Sequence, residues 1–270
     1  MRSLAIVGSG VLVFSLIWQW QVDAEAQALN SQTARAREPV IVELFTSEGC
    51  SSCPPADSFL AQLDAQQPLG SAQIIALEEH VDYWDEQGWK DPFSSSTWTA
   101  RQRDYAGTLR NGNPYTPQMV VDGIDGFVGS QVGTARQEIE KAAVVKKSRV
   151  EITRLSLVPG KSLSLNVNVE KLGSLAPKDT AEVILAISES GLHSAVKAGE
   201  NNGKELQHSP VVREWKVIGL MGKNGNEGFA AQPAVKLDAK WNTENLRAVV
   251  FVQERKNRHI LGAAAIRLAQ

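Results

Sequence analysis

Val40-Ile41-Val42-Glu43-Leu44-Phe45-Thr46-Ser47-Glu48-Gly49-Cys50-Ser51-Ser52-Cys53-Pro54-Pro55-Ala56-Asp57 is the stretch from which the rest of the chain is read, because it contains the only two cysteines of 270 residues. The apolar run Val40 to Phe45 reads as a buried strand. Gly49 permits a tight turn. Ser51, Ser52, Pro54 and Pro55 suit a first helical turn, where backbone N–H groups have no intrahelical partner. A C-x-x-C placed where a strand passes into a helix is the local pattern of a redox-active dithiol. The positive end of the helix dipole favours thiolate at the first sulfur. Cys50 is therefore the expected nucleophile and the more exposed sulfur. Cys53, one turn in, is the expected resolving thiol. Glu48 opposes ionisation of Cys50, whereas the Ser51 and Ser52 hydroxyls can donate to a thiolate.

Glu43 to Asp57 also resembles the hallmark of a family of secreted bacterial proteins that carry domain of unknown function 1223, with a thioredoxin-like domain. His80-Val81-Asp82-Tyr83-Trp84-Asp85, Gly88-Trp89-Lys90-Asp91-Pro92-Phe93 and Tyr115-Thr116-Pro117-Gln118-Met119-Val120-Val121-Asp122-Gly123 fit the same family. The resemblance spans most of the chain after its first segment. It implies a fold and assigns no activity. Thioredoxin itself has Gly-Pro where this chain has Ser51-Ser52, which leaves the redox potential open. Thioredoxin-like enzymes have a cis proline before the third strand, facing the C-x-x-C. The resemblance puts Thr116-Pro117 at that place, where the preceding backbone pairs with an extended substrate.

The remaining sequence sets the frame. Arg2, the apolar run Leu4 to Ile17 and the small-x-small site Ala24-Glu25-Ala26 read as a signal peptide over 1–26. The run is shorter than the ~20 residues of a spanning helix. Residues 27–38 read as a flexible leader. Export implies a periplasmic or secreted protein, with membrane contact only through the signal peptide. A net charge of −2 gives no footprint for nucleic acid. No phosphate loop, dinucleotide fingerprint, hydrolase elbow or haem motif occurs, so no cofactor is expected.

Element order over 39–147 is strand, helix, strand, helix, strand, strand, helix, the order of a thioredoxin-like α/β domain. The helices are read at Ala56 to Gln66, Thr97 to Leu109 and after a Ser130 cap. Asp82 to Ser96 is read as an insertion. From 148 to 270 the period changes. Leu163, Leu165, Val167 and Val169 alternate with polar residues, as do Val183, Leu185 and Ile187. Trp215 to Ile218, Leu246 to Val252 and Ile260 to Leu268 complete an expected all-β sandwich. Ala198 to Ser209 reads as a polar loop.

The expected chemistry is thiol–disulfide exchange with protein thiols or disulfides, or with an electron-donor protein. A structural staple is the competing reading, but closing so short a loop stabilises by only roughly 2 kcal/mol. His80, near Glu78, Glu79 and Asp82, reads as a hydrogen-bonded structural residue, a proton-transfer group that tunes the thiols, or a ligand. In the last case Cys50, Cys53 and His80 would handle copper or another metal. A third reading is a non-enzymatic binding protein on a thioredoxin scaffold.

Overall fold

The computed structural model describes residues 37–109, 112–173, 175, 178–208, 210–222 and 227–269. The expected signal peptide, all but the last two residues of the expected leader, and Ser209 at the end of the expected polar loop lie outside the described residues.

Strand β1 (Glu38–Thr46) runs into the cysteine turn, followed by helix α1 (Pro54–Gln66) and strand β2 (Ala72–His80). β1 and β2 pair in parallel from Glu38↔Ala72 to Thr46↔His80. Both are buried on both faces, which accounts for their near-continuous apolar sequence. The insertion leads to helix α2 (Ser96–Ala106), then to the hairpin β3 (Gln118–Val121) and β4 (Asp125–Val128) and to helix α3 (Val132–Ala142). β3 pairs antiparallel with β1. Gln131, without a side-chain bond, stands at the start of α3 where Ser130 was expected.

The second half adds β5 (Val150–Val158), β6 (Ser162–Val169), β7 (Ala181–Glu189), β8 (Leu192–Ala195), β9 (Glu205–His208), β10 (Val211–Met221), β11 (Phe229–Ala231), β12 (Ala234–Lys236), β13 (Leu246–Glu254) and β14 (Ile260–Arg267). Four of these strands do not form a separate layer. They extend the first sheet into one of eight strands, ordered β14-β13-β7-β10-β2-β1-β3-β4. The junction is narrow. Val211 pairs with Glu78, and the Glu78 N–H donates to the Pro210 carbonyl at 2.8 Å. That pairing covers the end of β2, whose open edge would otherwise expose unpaired backbone. The break expected at Ser148 is thus bridged by a continuous sheet, and both halves fall within one compact unit. The smaller sheet, β11-β6-β12 with β5 on β6, packs across β7 and β13. Leu163, Leu165, Val167 and Val169 meet Val183, Leu185, Ile187, Val250 and Val252 there, so the two sheets share one apolar core.

Each face of the large sheet carries its own core. Val40, Val42 and Leu44 pack with Phe59, Leu60 and Leu63 of α1 and Ile139 of α3. On the other face Ile41, Phe45, Ile75 and Leu77 meet Trp98 and Tyr105 of α2 and Val249 and Phe251 of β13. Trp98 therefore belongs to the core, edge-on to Trp215. Near these residues Arg101, Tyr105, Glu43, Glu79 and Gln253 form a buried polar group. No helix among the described residues is long and apolar enough to cross a membrane.

Candidate functional site

The cysteine turn is short and closed by its own backbone. Cys50 N–H donates to Ser47 O at 3.1 Å, and Cys53 N–H to Cys50 O at 3.2 Å. Cys53 occupies the N-cap of α1, with prolines in the two positions that follow, where a missing N–H costs nothing. Cys50 and Cys53 form a disulfide, with sulfurs 2.19 Å and Cα atoms 5.4 Å apart. A Cβ at Gly49 would lie 3.0 Å from Trp84 Cβ, so the turn needs glycine where Trp84 crosses it. Trp84 Nε1 donates to Thr116 Oγ1 at 2.8 Å, linking the turn to the Thr116–Pro117 segment. The Thr116–Pro117 bond is cis. Pro117 and Ala56 of α1 both border Gly129, whose added Cβ would lie 3.4 and 3.0 Å from their Cβ atoms.

Cys50 is not the exposed sulfur that its position suggested. Relative exposure is 1% at Cys50 and 0% at Cys53, whereas Ser51 and Ser52 are exposed. The cover comes from the connection between β8 and β9, more than 140 positions away in sequence. Asn201, wholly buried, donates both Nδ2 hydrogens across the turn, to Glu48 O at 2.8 Å and Cys50 O at 3.0 Å. Its Oδ1 accepts from Lys204 Nζ at 2.8 Å, and Glu200 Oε2 accepts from Ser51 N–H at 3.1 Å. Ser52 Oγ lies 3.4 Å from Cys50 Sγ.

Beneath this turn lies a closed ring of carboxylates and imidazoles. His80 donates from Nδ1 to Asp91 Oδ2 at 2.7 Å and from Nε2 to Glu78 Oε1 at 3.2 Å. His208 donates from Nδ1 to the same Glu78 oxygen at 2.8 Å and from Nε2 to Glu48 Oε1 at 3.1 Å. Asp91 Oδ2 accepts the Glu48 N–H at 2.8 Å and so completes the ring. Trp89 Nε1 and Ser194 Oγ hold the other Glu48 oxygen, at 2.7 and 3.1 Å. Glu48 is therefore engaged with this ring rather than left free beside Cys50. Burial alone would lower both histidines. The Asp91 and Glu78 carboxylates instead hold His80 well above its ordinary value, and bonds to Glu48 and Glu78 hold His208 at about 9. Burial would raise Glu78, but its bonds from the two histidines bring it down to about 2.

Sequence reasoning named Glu48 and His80 and missed His208, Asp91, Asp57 and Asn201 as site residues. Asp91 and Asp57 lay inside stretches already singled out. His208 ends a strand, Glu205–His208, read as part of a loop. Its buried positions alternate, but one of the two is a histidine, which hides the period.

Asp57, one turn beyond Cys53, accepts from Thr46 Oγ1 at 2.6 Å. Burial, then the Glu78 charge, pushes its carboxyl up to about 7 from 3.8. Between those values the folded chain keeps a proton that the unfolded chain releases. Stability from this group is therefore full below about 4 and is lost as pH rises through about 7. Asp57→Asn removes that loss, worth about 4 kcal/mol at most. Urea unfolding of both proteins from pH 4 to 8 checks it: the variant gains on the wild type across the window. Parallel curves would refute the assignment.

The family model described as a protein of unknown function, DUF1223, matches residues 41–253. None of the curated proteins compared with the chain matches it. Among solved structures, protein AGR_C_4864 from Agrobacterium tumefaciens is similar at 25% identity and a TM-score of 0.62, over 86% of this chain and 96% of its own. A domain of the outer membrane lipoprotein Omp28 from Porphyromonas gingivalis aligns over 46% of this chain and 91% of its own, at 14% identity and a TM-score of only 0.29.

Proposed function

The chain belongs to that family of unknown function, and we propose that it is an exported thiol–disulfide oxidoreductase, acting in the periplasm or outside the cell on a thioredoxin-like site. The observation that carries the reading is the Cys50–Cys53 disulfide closed at the N-terminus of α1. In the oxidising direction a client thiolate attacks Cys50 Sγ, and the S–S bond breaks with its electron pair going to Cys53. A second client thiolate then attacks the mixed disulfide and releases Cys50 as thiolate. The client gains a disulfide, and the protein gains two electrons and takes up protons as its thiols form. In the reducing direction an electron-donor protein first reduces the pair by these same steps. Cys50 thiolate then attacks a client disulfide, and Cys53 attacks the mixed disulfide, reforming the Cys50–Cys53 bond and releasing the client as a dithiol.

Cys50, ahead of the helix, carries the mixed disulfide in this reading, and Cys53, at the N-cap of α1, resolves it. Cys53→Ser therefore traps client adducts in periplasmic or culture extracts, and Cys50→Ser traps few. Equal, low trapping by both variants, with a wild type that neither reduces nor oxidises a test protein, would sink the enzyme reading. It would leave a binding protein on an inert scaffold. The equilibrium potential sets direction: a value near −270 mV marks a reductant and one near −120 mV an oxidant. The metal reading built on Cys50, Cys53 and His80 receives no support from the geometry. Among the described residues His80 gathers with Glu78 and His208, and no cysteine shares that group.

A further inference from the structure

Glu78 and His80 lie two apart on β2 and so face the same side of the strand. His208, at the end of β9, closes over them. One ligand atom from each of the three lies within 4.8 Å of the others, and all three side chains are fully buried. We propose that Glu78, His80 and His208 form a site for a divalent first-row transition ion of the zinc type, distinct from the cysteine pair. This inference stands independently of the oxidoreductase reading.

Ligand type is the first support: two imidazoles and one carboxylate are donors suited to zinc and its neighbours. Orientation is the second and stronger. Each imidazole turns one nitrogen toward the same Glu78 oxygen and the other toward an outer carboxylate, Asp91 for His80 and Glu48 for His208. Carboxylates in that outer position fix the ring and raise the basicity of a metal-binding imidazole. They are themselves held: Asp91 accepts from the backbone N–H groups of Glu48 and Phe93, both at 2.8 Å, and Glu48 from Trp89. An ion at the centre replaces the hydrogens that join the imidazoles to Glu78 and leaves the outer bonds in place.

Phe93, half-buried, borders the site and sets its ring edge-on to both imidazoles, with centroids 5.3 Å from His80 and 5.5 Å from His208. Phe93 also lines a cleft of about 410 Å³ shared with Trp98, Arg213, Trp215 and Trp241. Phe93 is thus the side chain that touches both the histidine pair and the cleft.

Equilibrium dialysis of the metal-stripped, oxidised full chain against Zn²⁺ and, separately, Co²⁺ tests the site. The expected result is one ion per chain, with cobalt giving a visible ligand-field spectrum that zinc abolishes. The Cys50→Ser/Cys53→Ser variant keeps full stoichiometry. His208→Gln loses the ion, and Asp91→Asn, which leaves all three ligands in place, weakens binding by about 10–100-fold. If His208→Gln does not fold, judged by its circular dichroism, the Asp91→Asn shift decides. The proposal is overturned if the wild type binds no ion, if the cysteine variant loses it, or if His208→Gln or Asp91→Asn binds as the wild type does.

Discussion

Asn201→Ala lets dithiothreitol reduce the Cys50–Cys53 disulfide at least about tenfold faster than in the wild type. Exchange requires an attacking thiolate to approach a sulfur in line with the S–S bond. At 1% and 0% exposure neither sulfur offers that approach until its cover moves. The bonds from Asn201 Nδ2 to Glu48 O and Cys50 O are the buried part of that cover. Truncation to Ala leaves the Glu48 carbonyl without its donor, at roughly 1–3 kcal/mol for a buried unsatisfied group, whereas Cys50 O keeps the Cys53 N–H. Each 1.4 kcal/mol is tenfold in an equilibrium. The open population, and with it the reduction rate, rises by one to two orders of magnitude. Glu200→Gln, which alters only an exposed contact to Ser51, changes the rate by less than about threefold, the range of a surface interaction. Acid-quenched alkylation after mixing with dithiothreitol measures both, with urea unfolding run alongside to separate local opening from loss of the whole fold. Reduction of Asn201→Ala at the wild-type rate would mean that the sulfurs are reached without moving this segment.

The same segment shows what could be read in advance and what could not. The turn around Cys50, the order of the first seven elements and the alternation in β6 and β7 are local patterns, and local patterns survive in a single sequence. Partner choice between strands does not. Val211 and Val212 lie before the expected strand Trp215 to Ile218, and nothing in them says that they continue the edge of β2. β10 runs from Val211 to Met221 with register shifts after Val212 and Val217, which break the alternation and leave only Trp215 to Ile218 legible. β5 was missed because its apolar face, Val150, Ile152 and Leu157, loses its period at the register shift between Arg154 and Ser156, while Leu155 and Val158 stand open. His208 and Asn201 reach Glu48 and Cys50 only because the β8–β9 hairpin folds back over the turn. Cysteine spacing, helix caps and strand period carry no information about contacts at that separation.

Arg101→Met destabilises the protein by about 3–5 kcal/mol, the cost of leaving buried charge without its partner. Arg101 reaches from α2 into the face of the large sheet, where its Nε donates to Glu43 and lies 3.5 Å from Glu79. Its other nitrogens donate to Gln253 of β13 and to the Tyr105 hydroxyl, both at 3.0 Å, and Tyr105 in turn donates to Glu43. The guanidinium lies 4.2 Å from the Trp215 ring centre of β10. Methionine preserves much of the apolar stem and its contact with that ring, so the loss reports the charge rather than a cavity. Two carboxylates with 0% exposure, Glu43 and Glu79, then share a site without their cation. Burial and the Glu43 charge already push Glu79 well above the ordinary carboxylate range with Arg101 present. Glu43→Gln on the Arg101→Met background removes one of the two buried acids and recovers about 1 kcal/mol or more, a coupling that a double-mutant cycle isolates. Urea unfolding followed by tryptophan fluorescence and by circular dichroism measures both variants. Because Arg101 joins α2 to β10 and β13, the two signals shift together in one transition. A loss under about 1 kcal/mol, or a shift confined to one signal, would show that the halves do not depend on this cation for their union.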